Sequence, residues 1–152
     1  MIHEVMHIGI TVSDLERSIR FYRDILGLAF RGGLLMEGEE TDLLFARKGC
    51  KVAVAYLNGS DEIFAPPIEL LEFADQPSGK ALPSLFQTSI SEICFRIKGI
   101  DAFYEHLSER DVQCLSRPCF FDFTSFGFGK SKAFYFRDPD GNVLEAMEAL
   151  DE

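Results

Sequence analysis

Ile68-Glu69-Leu70-Leu71-Glu72 recurs later in the chain as Leu144-Glu145-Ala146-Met147-Glu148. Both read apolar-Glu-apolar-apolar-Glu. Successive side chains of a strand face opposite ways, so Glu69 and Glu145 take one face of their strands while Glu72 and Glu148 take the other. The segments upstream recur as well. In Met6-His7-Ile8-Gly9-Ile10-Thr11-Val12, the apolar Met6, Ile8, Ile10 and Val12 share one face, and His7, Gly9 and Thr11 share the other. Ile90 to Ile97 alternates in the same way, with Ile93, Phe95 and Ile97 opposite Glu92, Cys94 and Arg96. A helical stripe follows each: Leu15, Ile19, Tyr22 and Leu26 first, then Ile100, Phe103, Tyr104 and Leu107. Ile8 aligns with Ile93, and Leu15 with Ile100. Strand, helix and closing strand recur in one order, which is the signature of a duplicated module.

Local signals fill in the rest. Ser13-Asp14-Leu15-Glu16 reads as a capping box with Ser13 as N-cap and Glu16 reaching back, and Gly27 as the stop. Further strands are expected at 33–36 (weakly), 51–57 and 68–73, giving β-α-β-β-β. In the second half, strands are expected at 131–136 and 143–147. Asp138-Pro139-Asp140-Gly141 between them is a turn, with Pro setting φ and Gly free to take positive φ. Pro77-Ser78-Gly79-Lys80 to Pro83-Ser84 marks the linker. The modules are expected over 1–76 and 88–152, joined by linker 77–87 in one compact structural unit.

Composition excludes several function classes. The 152 residues carry a net charge of −10, which opposes binding to nucleic acid phosphates or anionic membranes. No apolar run approaches the ~20 residues a membrane span needs. Met1-Ile2-His3-Glu4 lacks the basic start of a signal peptide, so a cytoplasmic location is expected. Cys50, Cys94, Cys114 and Cys119 form no C-x-x-C pair, which argues against a structural zinc site.

Repeat alignment singles out four polar residues. His7 and Glu92 lie on the first strands, and Glu69 and Glu145 on the last. A carboxylate between Ile68 and Leu70, or between Leu144 and Ala146, is costly unless paired, coordinated or at an open edge. A lone His on a strand is ordinarily just a half-buried polar residue, but Gly9 leaves room around His7. Two such sheets facing each other would gather four oxygen and nitrogen donors, the makings of a metal site. Glu72 and Glu148, of opposite parity and near strand ends, are read as solvated. So is the acidic stretch 37–42, read as a loop. Phe120, Phe121, Phe123, Phe126 and Phe128, with Gly127 and Gly129 between them, read partly as core and partly as an apolar wall or lid for a ligand.

The segment from His7-Ile8-Gly9-Ile10-Thr11-Val12-Ser13-Asp14-Leu15-Glu16 through Phe21-Tyr22 to Leu26-Gly27-Leu28 resembles the opening of a vicinal oxygen chelate protein (glyoxalase, bleomycin-resistance protein, extradiol dioxygenase). Ile68-Glu69-Leu70 and Phe136-Arg137-Asp138-Pro139-Asp140-Gly141-Asn142-Val143-Leu144-Glu145 resemble it too. The resemblance implies an α+β fold, two paired βαβββ modules forming an open, cup-shaped eight-stranded barrel around a divalent metal. It implies His7, Glu69, Glu92 and Glu145 as ligands. Position 92 departs from the pattern, where His is common in a His-Ile-x-Phe context; here it reads Glu92-Ile93-Cys94-Phe95. One nitrogen and three carboxylates would favour Mn²⁺ or Fe²⁺ over Zn²⁺, with Ni²⁺ and Co²⁺ also in the range. Glu92 could instead serve as a base or pair with Arg96.

The function expected from this resemblance is a metal-dependent lyase, isomerase or epimerase, similar to glyoxalase I or methylmalonyl-CoA epimerase, working through an enediolate. Glu145 would be its base, and Phe121, Phe123, Phe126 and Phe128 would contact a small-molecule substrate. The alternatives are an extradiol-type dioxygenase, which Glu92 disfavours, and a non-catalytic antibiotic binder. A homodimer is the expected state.

Overall fold

Ile8–Thr11 forms β1 and runs parallel to β4 (Ile68–Phe73), with Ile8 opposite Ile68 and Gly9 opposite Glu69. The computed structural model describes residues 5–59, 67–75, 85–86 and 90–150. The chain divides into two compact units, Met1–Gly79 and Lys80–Glu152. Apart from 85 and 86, the linker expected over 77–87 lies outside the described residues.

In the first unit β2 (Ala29–Met36) and β3 (Val52–Asn58) complete a mixed sheet in the order β1-β4-β3-β2. Parallel strands require a crossover, and the connection from β1 to β4 runs through α1 (Leu15–Arg20), β2 and β3. The helix continues through a wider π-type turn, Phe21–Ile25, where the Leu26 N–H reaches the Phe21 carbonyl at 3.0 Å. Gly27 ends it at φ 78°. The helix-facing parity of the sheet holds Ile10, Ile68, Leu70, Ala55 and Leu57, all buried together with Phe21 and Tyr22. Burying each large apolar side chain contributes about 1.5–3 kcal/mol.

Two local readings are corrected. The N-cap is Asp14, whose carboxylate accepts from the Arg17 N–H at 2.9 Å, while Ser13 Oγ accepts from the Arg17 guanidinium. Extended pairing persists to Val12, whose N–H bonds the Leu71 carbonyl, so the helix starts later than the capping-box pattern suggests. The stretch 37–42 is not wholly loop, because Glu39–Leu44 forms α2. Asp42 anchors it by accepting the N–H groups of Gly49 and Cys50, both at 2.8 Å.

The second unit repeats the plan. Its sheet runs β5-β8-β7-β6, built from β5 (Ile93–Arg96), β6 (Cys119–Asp122), β7 (Lys130–Arg137) and β8 (Val143–Ala149). β5 and β8 are parallel, and α3 (Ile100–Ser108) follows β5 as α1 follows β1. Phe103 packs on Phe134 and Phe136, and Tyr104 meets Phe134 edge-on at 5.4 Å. The 138–141 turn forms as expected. The Gly141 N–H bonds the Asp138 carbonyl, and the buried Asp138 carboxylate accepts from the Asp140 and Asn142 N–H groups.

Glu72 and Glu148 are not merely solvated. Glu72 accepts the Leu15 N–H at the start of α1, and Glu148 accepts the Gly99 and Ile100 N–H groups at the start of α3. Their parity was legible, but the reason for it is that the helix-side face points these carboxylates at orphaned amide donors. No helix among the described residues is long and apolar enough to cross a membrane.

Candidate functional site

The face of each sheet turned away from its helix carries the candidate groups. In the first unit, register places Tyr56 of β3 beside Glu69 of β4, and Gly9 of β1 on the other side of Glu69. His7 stands one residue before β1 and two before Gly9, so it shares that parity. His7 Nε2 lies 3.0 Å from Glu69 Oε2, and the Tyr56 hydroxyl donates to Glu69 Oε1 at 2.9 Å. The two rings meet edge-on with centroids 6.5 Å apart. Glu69 is 9% exposed. A carboxylate this buried needs such partners, because an unpaired buried charge costs several kcal/mol. Burial first, and then the Glu69 carboxylate, push the Tyr56 phenol up, so it remains a donor at neutral pH.

Gly9 is a close approach. A Cβ there would come within 3.2 Å of Leu71 Cδ1 and 3.6 Å of Glu69 Oε2. The tighter contact is with Leu71, and glycine leaves the space beside Glu69 Oε2 free of a Cβ.

In the second unit the same register sets Cys94 and Tyr135 on either side of Glu145. Cys94 takes the place of Gly9. Partial burial, the hydrogen bond it donates to Glu145, and the charges of Glu145 and Glu92 push its thiol up to about 12. Tyr135 is raised by burial and then by Glu145, Glu92 and Cys94. Glu92 stands one residue before β5, as His7 does before β1, and accepts from the Ser91 hydroxyl.

Within the units, then, the structure brings His7 to Glu69, and places Glu145 beside Cys94 and Tyr135, on which the charge of Glu92 also acts. Among the described residues no group of three or more His, Cys, Asp or Glu side chains is gathered closely enough to hold a metal ion. The donor chemistry of the first pair nevertheless fits one. Two ligand atoms each about 2.1 Å from an ion, at right angles, stand about 3 Å apart, which is the separation His7 and Glu69 show.

The sequence did not single out Tyr56, Tyr135 or Cys94. A usable signal existed: Tyr56 and Tyr135 lie in apolar stretches, Val52 to Leu57 and Ala133 to Phe136, at repeat-equivalent positions, each opposite a singled-out Glu. The aromatic stretch is more open than expected. Phe120, Phe121, Phe123, Phe126 and Phe128 are all exposed, up to 83% at Phe128, rather than half of them lying in the core. β6 is an edge strand, so little of the sheet covers them. Phe121 and Phe123 stack on each other at 5.6 Å.

Residues 4–146 match the Glyoxalase/Bleomycin resistance protein/Dioxygenase superfamily. The chain is 29% identical to YaeR of Escherichia coli (strain K12) over 95% of both chains, and 26% identical to YraH of Bacillus subtilis (strain 168) over 97% of this chain and 99% of that one. A glyoxalase family protein from Bacillus cereus superposes with a TM-score of 0.83 at 18% identity, covering 97% of this chain and 95% of that one. The trypanothione-dependent glyoxalase I of Leishmania major superposes at 0.66 with 21% identity, covering 96% and 86%. These likenesses bear out the α+β fold of two βαβββ modules.

Proposed function

Because the chain belongs to the Glyoxalase/Bleomycin resistance protein/Dioxygenase superfamily, we propose that it is a metal-dependent lyase, isomerase or epimerase of the glyoxalase kind, acting on a small molecule through an enediolate-type intermediate. The pairing of His7 with the buried Glu69 carries this reading. An imidazole and a carboxylate converging on one point suit a divalent ion of the first transition row. Glu92 and Glu145 remain candidate ligands within the second unit. A bound ion would supply Lewis acidity toward a substrate carbonyl.

The chain's own groups would do the rest. Glu145 is assigned the proton transfer at the carbon next to that carbonyl. Its Cys94 partner, with a thiol raised to about 12, stays protonated and donates to the carboxylate rather than competing as a nucleophile. Phe121, Phe123, Phe126 and Phe128 are exposed rings able to cover the apolar part of a ligand.

The test follows solvent deuterium into α-keto thiol adducts and acyl-CoA substrates by NMR, before and after EDTA. EDTA-sensitive exchange is expected. Exchange that survives chelation sinks the mechanism. Tight binding of an apolar antibiotic without exchange would favour the non-catalytic reading that the exposed phenylalanines also support.

A further inference from the structure

We infer that Tyr56 is a positioning residue: its hydroxyl occupies Oε1 of Glu69 and leaves Oε2, beside His7 Nε2, as the one oxygen offered to a divalent cation. This rests on the reading of His7 and Glu69 as a ligand pair.

The two oxygens of Glu69 have different surroundings. Oε1 is closed by the phenol at 2.9 Å. Oε2 faces His7 at 3.0 Å, with Gly9 keeping the adjacent space free of a Cβ. The arrangement is fixed by sheet register rather than by a mobile loop, since Tyr56 and Glu69 are paired residues of adjacent antiparallel strands. A carboxylate can bind an ion through one oxygen or through both. With Oε1 engaged by a neutral donor, Glu69 would be held to one-oxygen binding of a cation. Partners that orient ligands in this way typically change metal affinity ten- to hundredfold when removed.

In the second unit Tyr135 occupies the equivalent register, but Cys94 replaces glycine and its thiol is bonded to Glu145. An oxygen that faces an imidazole beside a phenol-held one is therefore a property of the first unit's pair.

The test uses the metal-free 152-residue chain titrated with Co²⁺, read by calorimetry and by visible absorption, for wild type, Tyr56→Phe, His7→Ala and Glu69→Gln. Wild type is expected to bind, and His7→Ala and Glu69→Gln to lose binding. Tyr56→Phe is expected to bind roughly ten- to hundredfold more weakly, with weaker d–d bands as Glu69 engages both oxygens. A second readout needs no variant: the bonded Tyr56 hydroxyl proton should give a slowly exchanging NMR signal in the Zn²⁺-loaded wild type. Wild-type affinity and bands in Tyr56→Phe, or absence of that proton signal, overturn the role of Tyr56 while leaving the ligand pair standing. Co²⁺ binding that is absent in wild type, or unaffected by His7→Ala and Glu69→Gln, overturns the ligand pair and the inference with it.

Discussion

Glu148 Oε2 accepts the Ile100 N–H at 3.0 Å, and its Oε1 accepts the Gly99 N–H at 2.7 Å. The last strand of the second unit thus supplies the cap for the helix that follows its first strand. These two bonds, that from Ile100 foremost, hold the Glu148 carboxyl below its ordinary value of 4.5; burial and Asp101 oppose them, and Lys132 assists. A depressed folded value means the stabilisation is complete above the ordinary value and is lost as pH falls through the folded one. Glu148→Gln is therefore expected to melt a few degrees below wild type at neutral pH, with the two curves converging in strong acid. A gap of constant size across an acid titration of Tm would contradict this.

Gly33 is required for a different reason, namely space. A Cβ on it would lie 2.6 Å from the Val54 carbonyl oxygen, a backbone atom of the neighbouring strand that has no rotamer to change. Gly33→Ala is expected to push β2 from β3 and cost about 1–3 kcal/mol. Gly59→Ala is the matched control, because its Cβ would meet only Leu28 Cδ2 at 3.7 Å, an ordinary contact, and should change stability by less than about 0.5 kcal/mol. Denaturant unfolding of both variants measures the difference.

How much of this was written in the sequence depends on the range of each contact. The pattern at Ile68–Phe73 gave β4 with its bounds, because the apolar-Glu-apolar-apolar-Glu-apolar run is local and recurs in the second half. Strand parity placed Glu69 and Glu145 on the face away from the helices. The partners of Glu72 and Glu148 were not legible, since Leu15 and Ile100 lie 57 and 48 residues away in sequence. α2 was hidden because its six residues, Glu-Glu-Thr-Asp-Leu-Leu, bury only Thr41 and leave Leu43 and Leu44 exposed, so no apolar stripe advertises a helix. Tyr56 was missed because a tyrosine in an apolar strand passes for core until register shows what its hydroxyl reaches.

Cys94 is exposed, yet its thiol, pushed up to about 12 from 9.0, holds roughly a thousandfold less thiolate near neutrality than an ordinary cysteine. Alkylation of Cys94 by iodoacetamide, followed by peptide mass spectrometry, should be slow at neutral pH and keep accelerating as pH rises past 9. Glu145→Gln removes one charge that opposes ionisation and should speed the reaction. A rate that levels off near pH 9, or that is indifferent to Glu145→Gln, would show that the carboxylate does not control this thiol.

In the proposed reading, Glu92 is the ligand whose chemistry would set the preferred ion. It occupies the place in the second unit that His7 occupies in the first, one residue ahead of the opening strand. If it ligates, a carboxylate stands where the family commonly has an imidazole, and the ligand set carries more negative charge. Such a set suits Mn²⁺ or Fe²⁺ better than Zn²⁺, which gains more from nitrogen ligands. Elemental analysis of protein purified without chelators should find Mn or Fe bound to wild type and little metal in Glu92→Ala. Glu92→His, which supplies the residue common at this place in the family, should retain metal and shift the preference toward Zn²⁺ in competition. Full metal content in Glu92→Ala would remove Glu92 from the ligand set. Its carboxylate, already accepting from the Ser91 hydroxyl, would then act only through its charge on Cys94 and Tyr135.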